Sequence, residues 1–165
     1  MLTFEAIDVM KHQAKVITFR KDSFRVSFGD TSDFGDEEDY LHWLEEKKHA
    51  FPAGFMLVRE NGAYIGQLEL SIKVNNDGES IGYIHLFYLV PEKRGQGKGL
   101  ELYQYAKQFF LQYKVACYEL RVSPSNTAAI NFYRKIGMEP IKTEFDGKVV
   151  RMRGMLSSTK DNELL

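Results

Sequence analysis

The chain has few of the features that would place it outside the class of ordinary globular domains. Cys117 is its one cysteine, so an intrachain disulfide is impossible and a zinc site built from several cysteines is excluded. No apolar run approaches the roughly 18 residues that a membrane-spanning helix requires. The formal net charge is −1, so the overall charge favours neither nucleic acid nor a membrane as a partner.

Segments that divide a chain or direct its transport are also missing. There is no internal repeat, no low-complexity stretch and no linker rich in proline and serine. The N-terminus lacks the basic and then apolar pattern of a signal peptide. Hydrophobic residues make up 44% and charged residues 27% of the chain, as in ordinary soluble proteins. We therefore expect one domain over residues 1–156, a polar tail over 157–165 and a cytoplasmic location.

Helix and strand patterns are mixed in the first half of the chain. A helix is predicted over about residues 9–19, although its apolar positions are not cleanly periodic, and a second helix in "YLHWLEEKKHAF". The segment 54–74 predicts two strands joined by an Asn-Gly pair, the residues typical of a tight hairpin. Residues 81–90 are nearly all apolar or aromatic, which predicts a central strand buried on both faces.

Strand–loop–helix units follow in the second half. Apolar residues spaced by three and four predict an amphipathic helix at Leu102, Ala106, Phe109, Phe110 and Tyr113. The segment 115–124 predicts a strand, and a further helix should begin at the N-cap Asn126 and end at Gly137. A last strand is predicted over 148–156. The fold class is therefore α/β or α+β around one mixed sheet.

The stretch "VPEKRGQGKG", residues 90–99, combines three glycines with three basic residues and is called the glycine loop below. Glycine lacks a Cβ atom, so such a loop before a helix can hold an anion on its free N–H groups. A P-loop requires Gly where Glu92 stands and a hydroxyl residue where Gly99 stands. A dinucleotide-binding G-x-G-x-x-G requires Gly at Leu100. Both of these motifs fail.

The pattern Arg94-x-x-Gly97-x-Gly99 between a strand and a helix resembles the acyl-CoA loop of the GNAT superfamily of acetyl-CoA-dependent N-acetyltransferases. The preceding "YLVPEK" resembles the usual strand exit of that family. A second stretch, "NTAAINFYRKIGM", resembles the family's later motif. The matching positions are Asn126, Ala129, Phe132, Tyr133 and Gly137.

The resemblance implies a GNAT-like fold over residues 1–156, with a single mixed, mostly antiparallel sheet flanked by helices. It implies acetyl-CoA as cofactor and no metal ion. The pyrophosphate of CoA would lie on N–H groups of the glycine loop at a helix N-terminus. The cofactor-binding residues that the resemblance implies are Leu89, Val90, Arg94, Gly95, Gln96, Gly97, Lys98, Gly99, Leu100, Asn126 and Tyr133.

The resemblance also implies two catalytic positions. The main-chain N–H of Leu89 matches the group that meets the acetyl oxygen, and Tyr133 matches the tyrosine that points at the CoA sulfur. A free tyrosine has a pKa of about 10 and a thiol one of about 8.5, so hydrogen bonding to the developing thiolate is favoured over full proton transfer. Tyr133 as a residue that merely packs on the sheet is the structural alternative.

The general base is not fixed by the sequence. Many relatives carry a glutamate at the position of Tyr83, so this chain departs from the pattern there. Strand alternation places His85 on the same face as Tyr83, Phe87 and Leu89, and a histidine pKa near 6.5 suits a base or a water relay. A packed core histidine is the alternative for His85. Glu69 is a second candidate base, and water alone is a third.

The acceptor is expected to be an amine-bearing small molecule or peptide, with neither nucleic acid nor membrane as partner. The acidic segment, residues 30–46, contains eight carboxylates and no lysine or arginine. It predicts either a negative lip for a cationic amine or an ordinary solvated helix start, which we favour. Asp22 and Ser23 are further candidates for orienting an amine. A homodimer stays open.

Two other classes of function stay open at this point. The missing glutamate is compatible with a module that holds acyl-CoA as a sensor without catalysis. The glycine loop is also compatible with another phosphate ligand.

Overall fold

The computed structural model describes residues 1–156, which form one seven-stranded sheet and four α-helices. The strands are β1 (Thr3–Ala6), β2 (Phe55–Glu60), β3 (Ala63–Val74), β4 (Ser80–Leu89), β5 (Cys117–Val122), β6 (Glu139–Glu144) and β7 (Val149–Met155). The helices are α1 (Gln13–Phe28), α2 (Glu37–Ala50), α3 (Lys98–Gln112) and α4 (Thr127–Lys135). The tail predicted for residues 157–165 lies outside the described residues.

The sheet is mixed and mostly antiparallel, so the predicted fold class is confirmed. The strand order is β1-β2-β3-β4-β5-β7-β6, and β4–β5 is the parallel pair among antiparallel neighbours. A parallel pair needs a long crossover connection, which the glycine loop and α3 provide here. The strands predicted at the Asn-Gly hairpin, at 81–90, at 115–124 and at 148–156 are all present.

Helices cover both faces of the sheet and enclose two apolar cores. On one face α3 and α4 pack over strand residues such as Leu68 and Leu70. On the other face α1 and α2 pack over residues that include Phe55 and Leu57. Gln67, Glu69 and Ser71 alternate with the leucines of β3 and are also buried, so a row of polar side chains lies under the second face.

Helix α1 differs from its prediction at both ends. It begins at Gln13 because residues 8–12 form a separate turn, in which the Asp8 N–H donates to His12 Nδ1 at 3.0 Å. It continues past residue 19 to Phe28 because no glycine or proline interrupts the chain before Gly29, whose left-handed conformation ends the helix.

Two strands carry too little signal for prediction from the sequence. β1 has four residues, and β6 is exposed over nearly all of its length, so neither shows buried alternation. Tyr113, predicted on the buried face of α3, caps the end of that helix and is 42% exposed. Within residues 1–156, no helix combines the length and the apolar character needed to cross a membrane.

Candidate active site

A cleft opens where β4 and β5 separate. The two strands pair over Gly82–Ile84 and Tyr118–Leu120, and in the described part of the chain they form no further pairs beyond that point. A cavity of about 800 Å³ fills the gap. It is lined by the strand ends, the glycine loop, α1 and α4, and it brings together most of the residues that the two sequence motifs predict.

The end of β4 turns a free main-chain edge toward this cleft. Val90 N–H donates to Ile65 O at 2.8 Å, and N–H directions alternate along an antiparallel strand. The N–H of Leu89, which lies opposite Gly66, therefore points away from β3 and into the cleft. The Leu89 carbonyl accepts a hydrogen bond from Arg94 Nε at 2.8 Å, which agrees with this orientation.

The glycine loop needs glycine for two different reasons. Gly95 and Gly97 have φ values of 71° and 81°, in the left-handed region that side chains disfavour, and open space surrounds the position of a Cβ atom on each. A Cβ atom on Gly99 would instead meet the Phe132 ring at 3.0 Å, so this glycine allows α3 to approach α4. Gly97 caps α3, whose first N–H groups are available to an anion.

Some of the predicted cofactor-binding residues line the cavity and others do not. The cavity is lined by Leu89, Arg94, Gly95, Gly97, Gly99, Leu100, Asn126 and Tyr133. Val90, Gln96 and Lys98 do not line it. Lys98 pairs with Glu60 at 2.8 Å, as does Lys93, and these two ammonium groups lower the pKa of Glu60 to about 2. The lysines thereby fix the loop to the β2–β3 hairpin.

Helix α4 positions Asn126 and Tyr133 on the opposite wall. Asn126 accepts a hydrogen bond from the Ala129 N–H at 3.2 Å, so its predicted role as N-cap is confirmed and it lines the cavity as well. Tyr133 is 9% exposed, and burial raises its pKa above the usual value. Its hydroxyl makes no hydrogen bond within residues 1–156, which leaves the proton available to a ligand in the cavity.

A β-bulge corrects the predicted direction of His85. Along β3 the partner of Glu69 is Leu86 while the partner of Leu70 is Ile84, so His85 is an extra residue on β4. The His85 ring packs against Trp43 on α2, with 5.0 Å between the ring centroids, whereas the Phe87 ring packs against Phe132 on α4. His85 thus shares a face with Tyr83 as predicted, but not with Phe87 and Leu89, because the bulge interrupts the alternation.

His85 is held neutral by its surroundings. Its Nε2 atom lies 2.7 Å from Ser71 Oγ, and aromatic rings enclose it. Burial lowers the pKa of His85 to about 3, with the positive charges of Lys73 and Arg20 as further causes. An imidazole with so low a pKa is a weak acceptor of protons from an ammonium group.

Stability should depend on pH through His85. Its folded pKa of about 3 lies below an unfolded value of about 6.5, so the unfolded chain binds the proton more readily and stability falls as the pH drops below 7. Between pH 7 and pH 5 this linkage amounts to about 2 kcal/mol of unfolding free energy. Urea denaturation should show His85→Gln losing about 2 kcal/mol less than the wild type over that interval.

The control for this measurement is His49→Gln, since His49 has a side chain that is 78% exposed. It should retain the wild-type pH dependence. Equal pH slopes in the wild type and in His85→Gln would contradict the buried, neutral state of His85.

Glu69, the second candidate base, is occupied by other contacts. It is fully buried, forms an ion pair with Arg20 Nη1, accepts from the Tyr40 hydroxyl, and accepts from Gln67 Nε2 at 2.8 Å. Burial and the neighbouring carboxylate raise the pKa of Tyr40 well above its usual value. This network joins β3 to both helices of the second face. The contacts of Glu69 are therefore those of a residue that holds the fold together.

The acidic segment forms a helix start, as favoured from the sequence. Asp36 caps α2 by accepting from two backbone N–H groups, and Glu37, Glu38 and Asp39 occupy the first turn. Asp36 and Asp39 line a smaller recess of about 360 Å³ between α1 and α2. Asp22 accepts from the Tyr88 hydroxyl, and Ser23 Oγ donates to a carbonyl of its own helix.

Sequence reasoning missed several residues of the cavity wall, notably Arg20, Lys73 and Arg121. A signal for Lys73 is present in "QLELSIK", where polar and apolar residues alternate and so indicate one polar face of a strand. No comparable signal marks Arg20 or Arg121, which reach the cavity only through the tertiary fold.

A split mixed sheet, a glycine loop capping the crossover helix and a tyrosine on the next helix together define the acetyltransferase class of fold. The family model for the acetyltransferase (GNAT) family matches residues 16–138. The chain belongs to this family, as the resemblance of the two motifs indicated. A search of curated protein sequences gave no significant match.

Solved structures with the same fold include several acetyltransferases. A GNAT-family acetyltransferase of Staphylococcus aureus Mu50 has a TM-score of 0.73 at 15% identity and covers 95% of this chain and 100% of its own. PaiA N-acetyltransferase of Thermoplasma acidophilum, in complex with coenzyme A, has a TM-score of 0.70 at 17% identity. The match covers 94% of this chain and 99% of PaiA. Arabidopsis thaliana Naa50, with the bisubstrate analogue CoA-Ac-MVNAL, has a TM-score of 0.64 at 17% identity. The match covers 92% of this chain and 97% of Naa50. The CoA-bound structures agree with the predicted cofactor.

Proposed function

We propose that the protein is an acetyl-CoA-dependent N-acetyltransferase that acetylates a primary amine by direct attack within a ternary complex. The observation that carries this proposal is the free main-chain edge of β4, which lies in one cavity with the glycine loop and with Tyr133. One end of the cavity suits a phosphate group, the middle suits an extended arm, and the far end leaves room for an acceptor.

The chain's own groups fit the proposed donor. Free N–H groups at Gly95, Gly97 and the start of α3 would hold the pyrophosphate, and the open space at the two left-handed glycines lets an anion reach the backbone. The exposed edge of β4 would pair with the amide-bearing pantetheine arm as with an added strand. Bound acetyl-CoA supplies the acetyl thioester.

Two groups on opposite walls would act on the reacting atoms. The Leu89 N–H would donate to the carbonyl oxygen as negative charge develops there, and one such donor in a dry site contributes roughly 3 kcal/mol, or about a hundredfold in rate. The C–N bond forms as the C–S bond breaks. Tyr133 would donate a hydrogen bond to the departing sulfur, because its raised pKa keeps the proton on the phenol.

The acceptor ammonium must lose a proton before its nitrogen can attack. His85 is a weak base because of its low pKa, and Glu69 is committed to Arg20, Tyr40 and Gln67. We therefore favour water as the carrier of this proton. The positive charge around His85 would also lower the pKa of a nearby ammonium, and so favour the neutral amine.

Isothermal titration with acetyl-CoA, with ATP as the matched control, tests the proposal first, and turnover on a panel of amines follows. Selective micromolar binding and release of free thiol in the presence of an amine are expected. Selective binding of acetyl-CoA with no turnover on any amine would favour the alternative function, a non-catalytic sensor of acyl-CoA. Equal binding of ATP, or no binding, would overturn the acetyl-CoA site.

A further inference from the structure

The charged side chains that line the main cavity share one sign. They are Arg20, Lys73, Arg94, Arg121 and Lys135. Within the described chain no aspartate or glutamate lines this cavity, although the whole sequence has one more acidic than basic residue. Arg94 pairs with Asp22 at 3.4 Å and lies in the glycine loop, where the proposed pyrophosphate would also account for it. The pyrophosphate does not account for the positive residues around His85.

Lys73 is the clearest member of this second group. It extends from β3 over the Tyr83 ring, with Nζ 3.9 Å from the ring centroid, and Tyr83 in turn contacts His85 at 4.8 Å. The lysine is half-buried, and its Nζ forms no ion pair within 4.0 Å among residues 1–156, although Glu144 acts on it at longer range. Burial lowers its pKa, with the charge of Arg121 as the next cause. A half-buried ammonium without an anion in direct contact is costly, so the site favours an anionic ligand.

The arginines beside Lys73 also outnumber their partners. Arg121 and Arg151 share one oxygen of Glu144, each Nε at 3.0 Å, while Arg151 and Arg153 share Glu119. Lys142 Nζ also lies 3.7 Å from Glu144 Oε2, so three guanidinium groups and one ammonium group face two carboxylates. This cluster retains a positive charge, and Arg121 is the member that lines the cavity.

Arg20 contributes less to the excess charge. Its guanidinium forms an ion pair with buried Glu69, and the pair is close to neutral as a unit. The net positive charge at the acceptor end therefore comes from Lys73 and from the cluster that contains Arg121.

We propose that Lys73 and Arg121 form an anion subsite for the acceptor, so that the substrate is an amine that also carries a carboxylate or a phosphate group. This inference rests on the proposed acetyltransferase function. The anion would lie over β4, between Lys73 on β3 and Arg121 on β5, while the amine would lie toward Leu89 and the thioester. The acidic segment, for which a negative lip for a cationic amine was the less favoured interpretation, contributes no side chain to this cavity.

Matched acceptor pairs test the subsite. The L-amino acids are each compared with their carboxamides, and O-phosphoethanolamine with ethanolamine, by kcat/KM at saturating acetyl-CoA. At least one anionic member should exceed its neutral partner by about 10-fold or more, and the pair that does so identifies carboxylate or phosphate. Neutral partners that react as well as the anionic members in every pair would overturn the inference.

Substitutions assign the preference to the two residues. Lys73→Glu should reverse the preference within the best pair, and Arg121→Gln should reduce it about 10-fold. Lys11→Gln, at an exposed lysine on the turn before α1, should leave it unchanged. A preference that survives in both Lys73→Glu and Arg121→Gln would place the anion elsewhere.

A direct binding measurement separates this inference from the proposed function. N-acetyl-L-amino acids and their carboxamides are titrated onto the protein and onto Lys73→Glu. Selective binding of the acids that is lost in Lys73→Glu supports the subsite even if no turnover is found. Absence of this selectivity, together with turnover of the neutral acceptors as fast as that of the anionic ones, overturns it. Failure to bind acetyl-CoA overturns the proposed function alone.

Discussion

Replacement of Gly97 by glutamate is expected to weaken acetyl-CoA binding about 100-fold, equivalent to about 2.7 kcal/mol. Two effects combine at this position. A side chain at φ 81° strains the N-cap of α3 by about 1–2 kcal/mol, and the new carboxylate would lie beside the N–H groups that are proposed to hold the pyrophosphate. Isothermal titration of both proteins at one salt concentration measures the change.

The control for strain is Gly78→Glu, since Gly78 has φ 79° and open space around its Cβ position but lies in the turn between β3 and β4. It should bind acetyl-CoA like the wild type. Gly97→Ala, which adds strain without charge, should fall between the two. Wild-type affinity in Gly97→Glu would show that the loop does not hold the phosphates.

Tyr133→Phe is expected to lower kcat about 100-fold while the affinity for acetyl-CoA changes by less than about 3-fold. The substitution removes the one hydroxyl that α4 presents to the cavity from a position matched to the CoA sulfur. Because that hydroxyl has no partner within residues 1–156, its loss should not lower thermal stability. Steady-state thiol release and a parallel titration with acetyl-CoA measure the two quantities.

Tyr113→Phe is the matched control, because Tyr113 lies at the exposed end of α3. Its kcat should equal that of the wild type. An unchanged kcat in Tyr133→Phe would contradict a role of this hydroxyl in stabilising the departing sulfur, and a parallel loss of acetyl-CoA affinity would assign the tyrosine to binding.

Local chemistry explains why much of the fold could be predicted from the sequence. The Asn-Gly turn, the N-cap Asn126 and the glycines before α3 each impose a backbone conformation through residues adjacent in sequence. The prediction of β4 as a buried strand required only the composition of its own residues. The start of α1 was misplaced because the turn at residues 8–12 depends on a contact between Asp8 and His12 rather than on periodicity.

The candidate site was predictable where a motif covers it and not elsewhere. Leu89, Gly97 and Tyr133 belong to matched stretches and line one cavity. The direction of His85 was missed because a bulge depends on the pairing of β4 with β3, which no single strand reveals. Arg121 was missed because its proximity to Lys73 arises from the sheet order, across residues distant in sequence.

The gap between β4 and β5 bears on self-association. An unpaired strand edge at the rim of a sheet invites pairing with other chains and so promotes aggregation. The free edge of β4 instead faces inward, since β5 and β7 continue the sheet beyond it and helices cover both faces. The rims of the sheet are β1 and β6, so the unpaired part of β4 is not an outer edge and is less accessible than they are to a strand of a neighbouring molecule.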